Sequence, residues 1–221
     1  MTYKVLVDHD DILRRQIRIL ILLNSAENAG ITPISVSHFH MLAYFSNVLS
    51  PIWNAIPLDG KILKREDGPF YPSLQVDLDR LVGIGVVGIS KISHTQDKHG
   101  RWRLDGQYQL NPQLSKPILE KIQALHWEAE INHFIQEIAY AFSSMVELDK
   151  SIIANEDATY ADPIIDFGNV VDFGEWKNEN YSFNAAALFE SFFPANTRVA
   201  RGELLHLYVR HLQRRLHGEQ F

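Results

Sequence analysis

The stretch over residues 67–110 constrains this chain more than any other. Asp67-Gly68-Pro69 is turn chemistry, and Pro72 or Ser73 opens a helix behind it. Leu74, Leu78, Leu81 and Val82 then recur at i, i+4, i+7 and i+8, the spacing of one buried helical stripe. Gly83 or Gly85 stops that helix. Residues 86–92 and 101–110 are rich in β-branched and aromatic side chains and read as strands, joined by the polar loop SHTQDKHG.

Two helices are predicted ahead of this unit. The first runs from a cap at Asp10 or Asp11 through about Asn28, with Gly30 beyond its end. Over residues 17–23 it is apolar around most of its circumference. Such a helix needs cover on more than one side, from layers of its own subunit or from another subunit, which makes Ile17, Leu20 and Leu23 candidate partner contacts. Arg14, Arg15 and Arg18 share a narrow arc and read as a solvated stripe. The second helix is SVSHFHMLAYFSNVLS, opened by Ser35 or Ser37 and halted at Pro51, with His38 and His40 at exposed or capping positions. Residues 52–67 read as a loop and a short edge strand turning at Asp59-Gly60.

After Asn111-Pro112 a long helical stretch is predicted over residues 115–153, with Ile131, Phe134, Ile135, Ile138, Phe142, Met145 and Val146 in helical register. Asp-Phe-Gly occurs twice, from residues 166 and 172, and reads as strands or turns around the glycines. A last helix over residues 196–217 turns Leu204, Leu205, Tyr208, Leu212 and Leu216 inward. The expectation is an α+β, mainly helical chain: a winged helix-turn-helix domain over residues 1–112, followed by a mostly helical domain over residues 113–221.

Charge decides which partners fit. The net charge of −6 is concentrated: residues 111–190 hold 14 acids against 4 bases. Adhesion of the whole surface to a polyanion is thereby excluded, and any nucleic-acid contact must be local. The outer face of the third helix holds Val76, Asp79, Arg80 and Gly83. Asp77 and Asp79 outnumber Arg80 there, a poor surface for reading base edges. The hairpin is the better DNA-binding candidate, through Lys91, Lys98, Arg101 and Arg103 with His94 and His99 around Trp102, although a solvated edge-protecting hairpin has the same composition. Arg210, Arg214 and Arg215 compensate the dipole of the last helix without any partner, and they are also candidate partner contacts.

No catalytic constellation emerges. The chain has no cysteine, which removes disulfides, thiolate metal sites and thiol nucleophiles. His126, Glu130 and His133 fall at i, i+4 and i+7, but amphipathic helices place polar residues at this spacing by default, and a metal site is not expected. GIGVVG has no lysine where a phosphate would sit. Glu147, Asp149, Glu156, Asp157, Asp162 and Asp166 lack the nearby lysine of a nuclease pattern and read as a solvated or protein-docking face. No cofactor is expected. The first eleven residues are acidic where a signal peptide is basic, and the apolar run at 19–23 is far shorter than a membrane span, so a cytoplasmic protein with no membrane partner is expected.

Four segments, QIRILILLNSA, HMLAYFSNVLS, DGPFYPSLQVDLDRLVGIGVV and GELLHLYVRHLQRRL, resemble the middle components of bacterial ABC-three-component systems, the group that includes Lamassu-type defence. A related arrangement is similar to that of Panacea-type antitoxins. The resemblance implies a small non-catalytic subunit between an SMC-like ATPase and an effector, often a nuclease, acting against phage or plasmids; any contact with DNA is expected only within that complex. It carries over no catalytic residue. Only the Gly68-Pro69-Phe70 turn and the helix-strand core after it match residue by residue, and these are structural. The competing expectation is a winged-helix DNA-binding regulator or antitoxin whose hairpin supplies the phosphate contacts.

Overall fold

A computed structural model describes residues 9–58, 60–96, 100, 102–150, 152–172, 180–194 and 197–218. Helix α1 (His9–Asn28) ends as its sequence requires: Gly30 takes φ 72, its N–H donates to the Glu27 carbonyl at 3.0 Å, and the Ile31 N–H reaches back to Ala26 at 3.0 Å. This pair of bonds is a Schellman stop, and glycine supplies the left-handed residue it needs. A two-residue strand, β1 (Ile34–Ser35), follows. Ser35 then caps α2 (Val36–Val48), its hydroxyl accepting from the His38 N–H at 3.2 Å.

Every residue of α2 from Phe39 to Val48 is buried. Its polar side chains are therefore spent on neighbours. Asn47 donates through Nδ2 to the Tyr71 hydroxyl at 2.8 Å and accepts from the Leu58 N–H at 2.6 Å, which clips the loop after α2 onto the helix. A 3-10 turn, Ser50–Trp53, leads to an antiparallel hairpin of β2 (Lys61–Arg65) and β3 (Gly68–Phe70). Pro69 sits in β3, an edge strand, where its missing N–H costs no ladder bond. The turn thus falls at Glu66-Asp67, between these strands. Asp59, half of the expected Asp59-Gly60 turn, lies outside the described residues.

Helix α3 (Pro72–Gly83) buries Leu74, Leu78 and Leu81, as its stripe predicts. β4 (Val87–Gln96) and β5 (Trp102–Leu110) pair antiparallel from Val87↔Leu110 outward, with a bulge between Ser90 and Ser93 where Lys91 takes φ 47. β1 adds to the far side of β5 through Ile34↔Tyr108, giving the order β1-β5-β4.

The expected continuous helix over 115–153 is divided. α4 (Pro112–Gln123), α5 (His126–Ser143) and the short α6 (Glu147–Lys150) are separate, followed by a 3-10 turn at Ile153–Glu156. Leu125 is extended at φ −81, ψ 107, and this corner lets α4 and α5 each lay a face against α1. β6 (Val170–Asp172) adds to the second sheet in the order β3-β2-β6. α7 (Tyr181–Leu188), a 3-10 turn at Phe189–Phe192 and α8 (Arg201–Leu216) complete the described chain. The result is a mixed α+β architecture, mainly helical, with two three-stranded sheets among the described residues.

A single hydrophobic core runs from Ile19 to Leu212, so residues on both sides of Pro112 contribute to it. α5 packs against α1, α2 and α8. At the far end of this core lies a fully buried carboxylate, Asp157. Its Oδ1 accepts from the Tyr44 hydroxyl, from Ser182 Oγ at 2.8 Å and from the Thr159 and Tyr160 N–H groups at 3.1 Å; its Oδ2 accepts from the Tyr208 hydroxyl at 2.6 Å. Five donors from α2, α7, α8 and its own turn replace the water the carboxylate has lost. Burial beside that charge pushes the Tyr44 and Tyr208 hydroxyls far above the ordinary tyrosine range.

Candidate functional site

Of the two kinds of cover the first helix requires, the structure supplies the one from within its own subunit. Leu20 and Leu23 are buried and Ile17 is partly buried against the core, covered by α2, α3, α4, α5 and β5 of the same chain. The all-round apolar character of residues 17–23 is thus used internally. The arginines of this helix differ from the expected solvated stripe. Arg14 is exposed beside Asp11, but Arg15 donates to Asp77, and Arg18 is buried 3.4 Å from the equally buried Glu128 of α5. Burial lowers the Arg18 pKa against the pull of Glu128.

Asp77 is the larger correction. The sequence places it among the acids repelling DNA from α3, whereas the structure buries it completely between Arg15 Nε at 2.6 Å and Arg80 Nη1 at 2.7 Å. The exposed positions of α3 are Pro72, Ser73, Val76, Asp79, Arg80 and Gly83, a face nearly balanced in charge. His40 is likewise neither exposed nor a cap. It is wholly buried, accepts the Tyr71 N–H on Nδ1 at 3.2 Å, and so carries its proton on Nε2, 3.0 Å from Gln75 Oε1. Burial pulls its pKa down to about 4. Gln75 passes the chain of bonds on to Tyr108 at 3.1 Å and Asp79 at 2.8 Å, which joins α2, α3 and β5.

On the hairpin, Lys91 is exposed in the bulge and Trp102 is 69% exposed. Lys98 and Arg101 lie outside the described residues, and Arg103 is placed only as backbone in β5. His133 of the candidate metal run instead faces Glu137 at 3.8 Å, and Glu137 also meets His206 of α8 at 3.4 Å. Glu130 is exposed.

The basic end of α8 faces the acidic block of its own chain. Arg215 lies 3.3 Å from Glu156, and His217 lies 3.0 Å from Asp149. Arg210 and Arg214 are exposed. Three further acids of the block have cationic neighbours: Glu128 with Arg18, Glu147 with Lys150 and Asp172 with Lys61.

What the sequence missed is the loop between Asp162 and Val170. Lys64 of β2 is only 4% exposed, and its ammonium donates to the carbonyls of Asp162 and Ile165, both at 2.8 Å. It lies 5.7 Å from the centre of the Tyr160 ring and 5.2 Å from that of Phe167. The Lys64 N–H donates to Asn169 and its carbonyl accepts from the Gly168 N–H. One residue therefore holds both limbs of the loop, while Ile164, Phe167 and Val170 stand 84%, 52% and 56% exposed beside Asp162, Asp166 and Asp172. A buried lysine is costly unless its donors are matched, so a loop fixed by one is held in a defined shape. The repeated Asp-Phe-Gly was the visible trace of it, but nothing local marked Lys64, about a hundred positions earlier, as its anchor.

No family model matches the chain, and no curated protein or solved structure matches it. None of the helices, among the described residues, is long and apolar enough to cross a membrane.

Proposed function

We propose that the chain is a non-catalytic adaptor subunit of a bacterial anti-phage or anti-plasmid defence complex, linking an SMC-like ATPase to an effector nuclease in the cytoplasm. The observation that carries this reading is the loop pinned by Lys64. Exposed apolar side chains scattered singly are ordinary, but two on one shaped loop and a third, Val170, where it enters β6, set among carboxylates, have the composition of a preorganised docking element. The partner surface that suits it is an apolar groove rimmed by lysine or arginine. Arg210 and Arg214 on α8 are a second contact candidate, of opposite sign.

The arrangement of α1, β1, α2, α3, β4 and β5 supports a winged-helix reading of the first 112 residues, because the strand between the first two helices joins the hairpin at β5. It departs from a tight helix-turn-helix in carrying the β2–β3 hairpin between α2 and α3. The near-neutral outer face of α3 favours protein over DNA as its neighbour.

Co-expression with the ATPase and effector genes of its operon tests the proposal. The wild-type chain co-purifies with both, and Ile164→Asp with Phe167→Asp releases one of them while the variant stays folded. A chain that purifies alone, or a loop variant that retains both partners, overturns it. A second reading, a DNA-binding regulator or antitoxin, draws on the exposed Lys91 and Trp102 of the hairpin, and salt-dependent duplex binding by the isolated chain would favour it.

A further inference from the structure

The loop pinned by Lys64 sets Ile164 and Phe167 beside the exposed carboxylate of Asp166, with Val170 where β6 begins. Its complement is an apolar surface next to exposed cations. The chain carries such a surface itself, where α7, the turn at Phe189–Phe192 and α8 meet. The buried Phe189 ring lies edge-on to His211 of α8 at 5.6 Å and 6.1 Å from the Phe192 ring. Phe192 is thereby held close to α8, and Leu188 and Phe192 remain 63% and 78% exposed. On α8, Arg210 and Arg214 stand one turn apart, about 100° and 60° round the axis from His211 on the same side, and both are exposed. Residues 191–221 hold 5 bases against 2 acids, the opposite balance to residues 111–190.

Ile164 and Phe192 are each more than three-quarters open to water, so neither patch covers the other within one chain. Between two chains the match is of both kinds, apolar side chain to apolar side chain and carboxylate to guanidinium. The net charge of −6 opposes approach only weakly at physiological salt, where charges more than about 8 Å apart are screened, and the contact is decided by the groups that touch. Two patches this small give a weak, concentration-dependent contact rather than an obligate one.

We infer that the chain associates head to tail with a second copy of itself, the 162–170 loop of one protomer lying on the surface that Leu188, Phe192, Arg210 and Arg214 form on the other. Two different patches meet, so a pair joined this way keeps one loop and one basic face open. The inference rests on the loop being the docking element proposed above, and names a second copy as its occupant in the isolated protein. The open loop of the pair is left for a further protein.

Sedimentation velocity on the purified full chain tests it. The wild type shifts from monomer to larger species as its concentration rises, and salt at about 0.5 M weakens the association about tenfold. Ile164→Asp with Phe167→Asp, and separately Leu188→Asp with Phe192→Asp, each stay monomeric with melting temperatures near that of the wild type. Mixed, these two variants form a one-to-one pair, because each supplies the patch the other has lost. Asp166→Arg and Arg210→Glu repeat the design with charge alone: each weakens association, and their mixture restores it. A wild type that stays monomeric, folded variants that still associate, or mixtures that do not recover each overturn the inference. A monomer that sediments instead with phosphatidylcholine–phosphatidylserine vesicles overturns it too, and assigns the α7–α8 face to an anionic membrane. A chain that is monomeric here yet co-purifies with its operon partners loses this inference and keeps the adaptor reading.

Discussion

Arg15 of α1 and Asp77 of α3 meet at 2.6 Å, guanidinium Nε to carboxylate Oδ2, and Arg80 completes the other oxygen at 2.7 Å. Two helices separated in sequence by α2 and the β2–β3 hairpin are thereby tied together. Asp77 is inside the protein, with both its oxygens occupied.

Asp77→Ala leaves the partly buried Arg15 without its carboxylate. We expect a loss of about 3 kcal/mol in urea unfolding, the usual cost of breaking a buried pair from one side. Asp79→Ala, on the exposed face of the same helix, stays within about 0.5 kcal/mol of the wild type. Equal effects at the two positions would contradict the buried assignment.

His40 sets a pH dependence. Its pKa is about 4 in the folded chain against an ordinary value of 6.5, because burial disfavours the charged ring. The unfolded chain therefore binds the proton more readily, and stability falls as pH drops through the interval between those values. From pH 7.5 to pH 5 this group alone removes about 2 kcal/mol. Urea unfolding at the two pH values should show the decline, and His40→Gln should flatten it.

Lys64→Met removes the two donors that fix the 162–170 loop. The expected cost is about 2 kcal/mol. Hydrogen exchange should quicken first at the Gly168 amide, whose bond to the Lys64 carbonyl depends on the loop keeping its shape. If exchange there is unchanged, the lysine does not shape the loop.

For the isolated chain, duplex DNA binding weaker than about 1 µM at physiological salt is expected, since α3 presents Asp79 with Arg80 and the basic hairpin is small. Neutralising Lys91, Lys98, Arg101 and Arg103 together should flatten whatever salt dependence a shift assay finds. Tight, sequence-selective binding would favour the regulator reading.

The elements with local punctuation were legible. The α3 stripe of Leu74, Leu78 and Leu81, the Gly30 stop and the inward set of α8 all follow from signals a few residues apart. The division of the 115–153 stretch was not, because Leu125 and Val146 carry no proline or glycine to mark a corner. Nor were the arginines of α1. Whether Arg15 or Arg18 faces water depends on Asp77 and Glu128, 62 and 110 positions away, and helical spacing says nothing about partners at that range. The Lys64 anchor was hidden for the same reason.

Asp157 sets an order on synthesis. Its carboxylate accepts from the hydroxyls of Tyr44, Ser182 and Tyr208, so it cannot leave water favourably until α8, the last helix described, has emerged from the ribosome. An N-terminal fragment ending before α4 lacks the α4 and α5 cover of α1 as well as the Asp157 turn and α8. Until α8 emerges, the faces of α5 and of the Asp157 turn that it covers stay open to water.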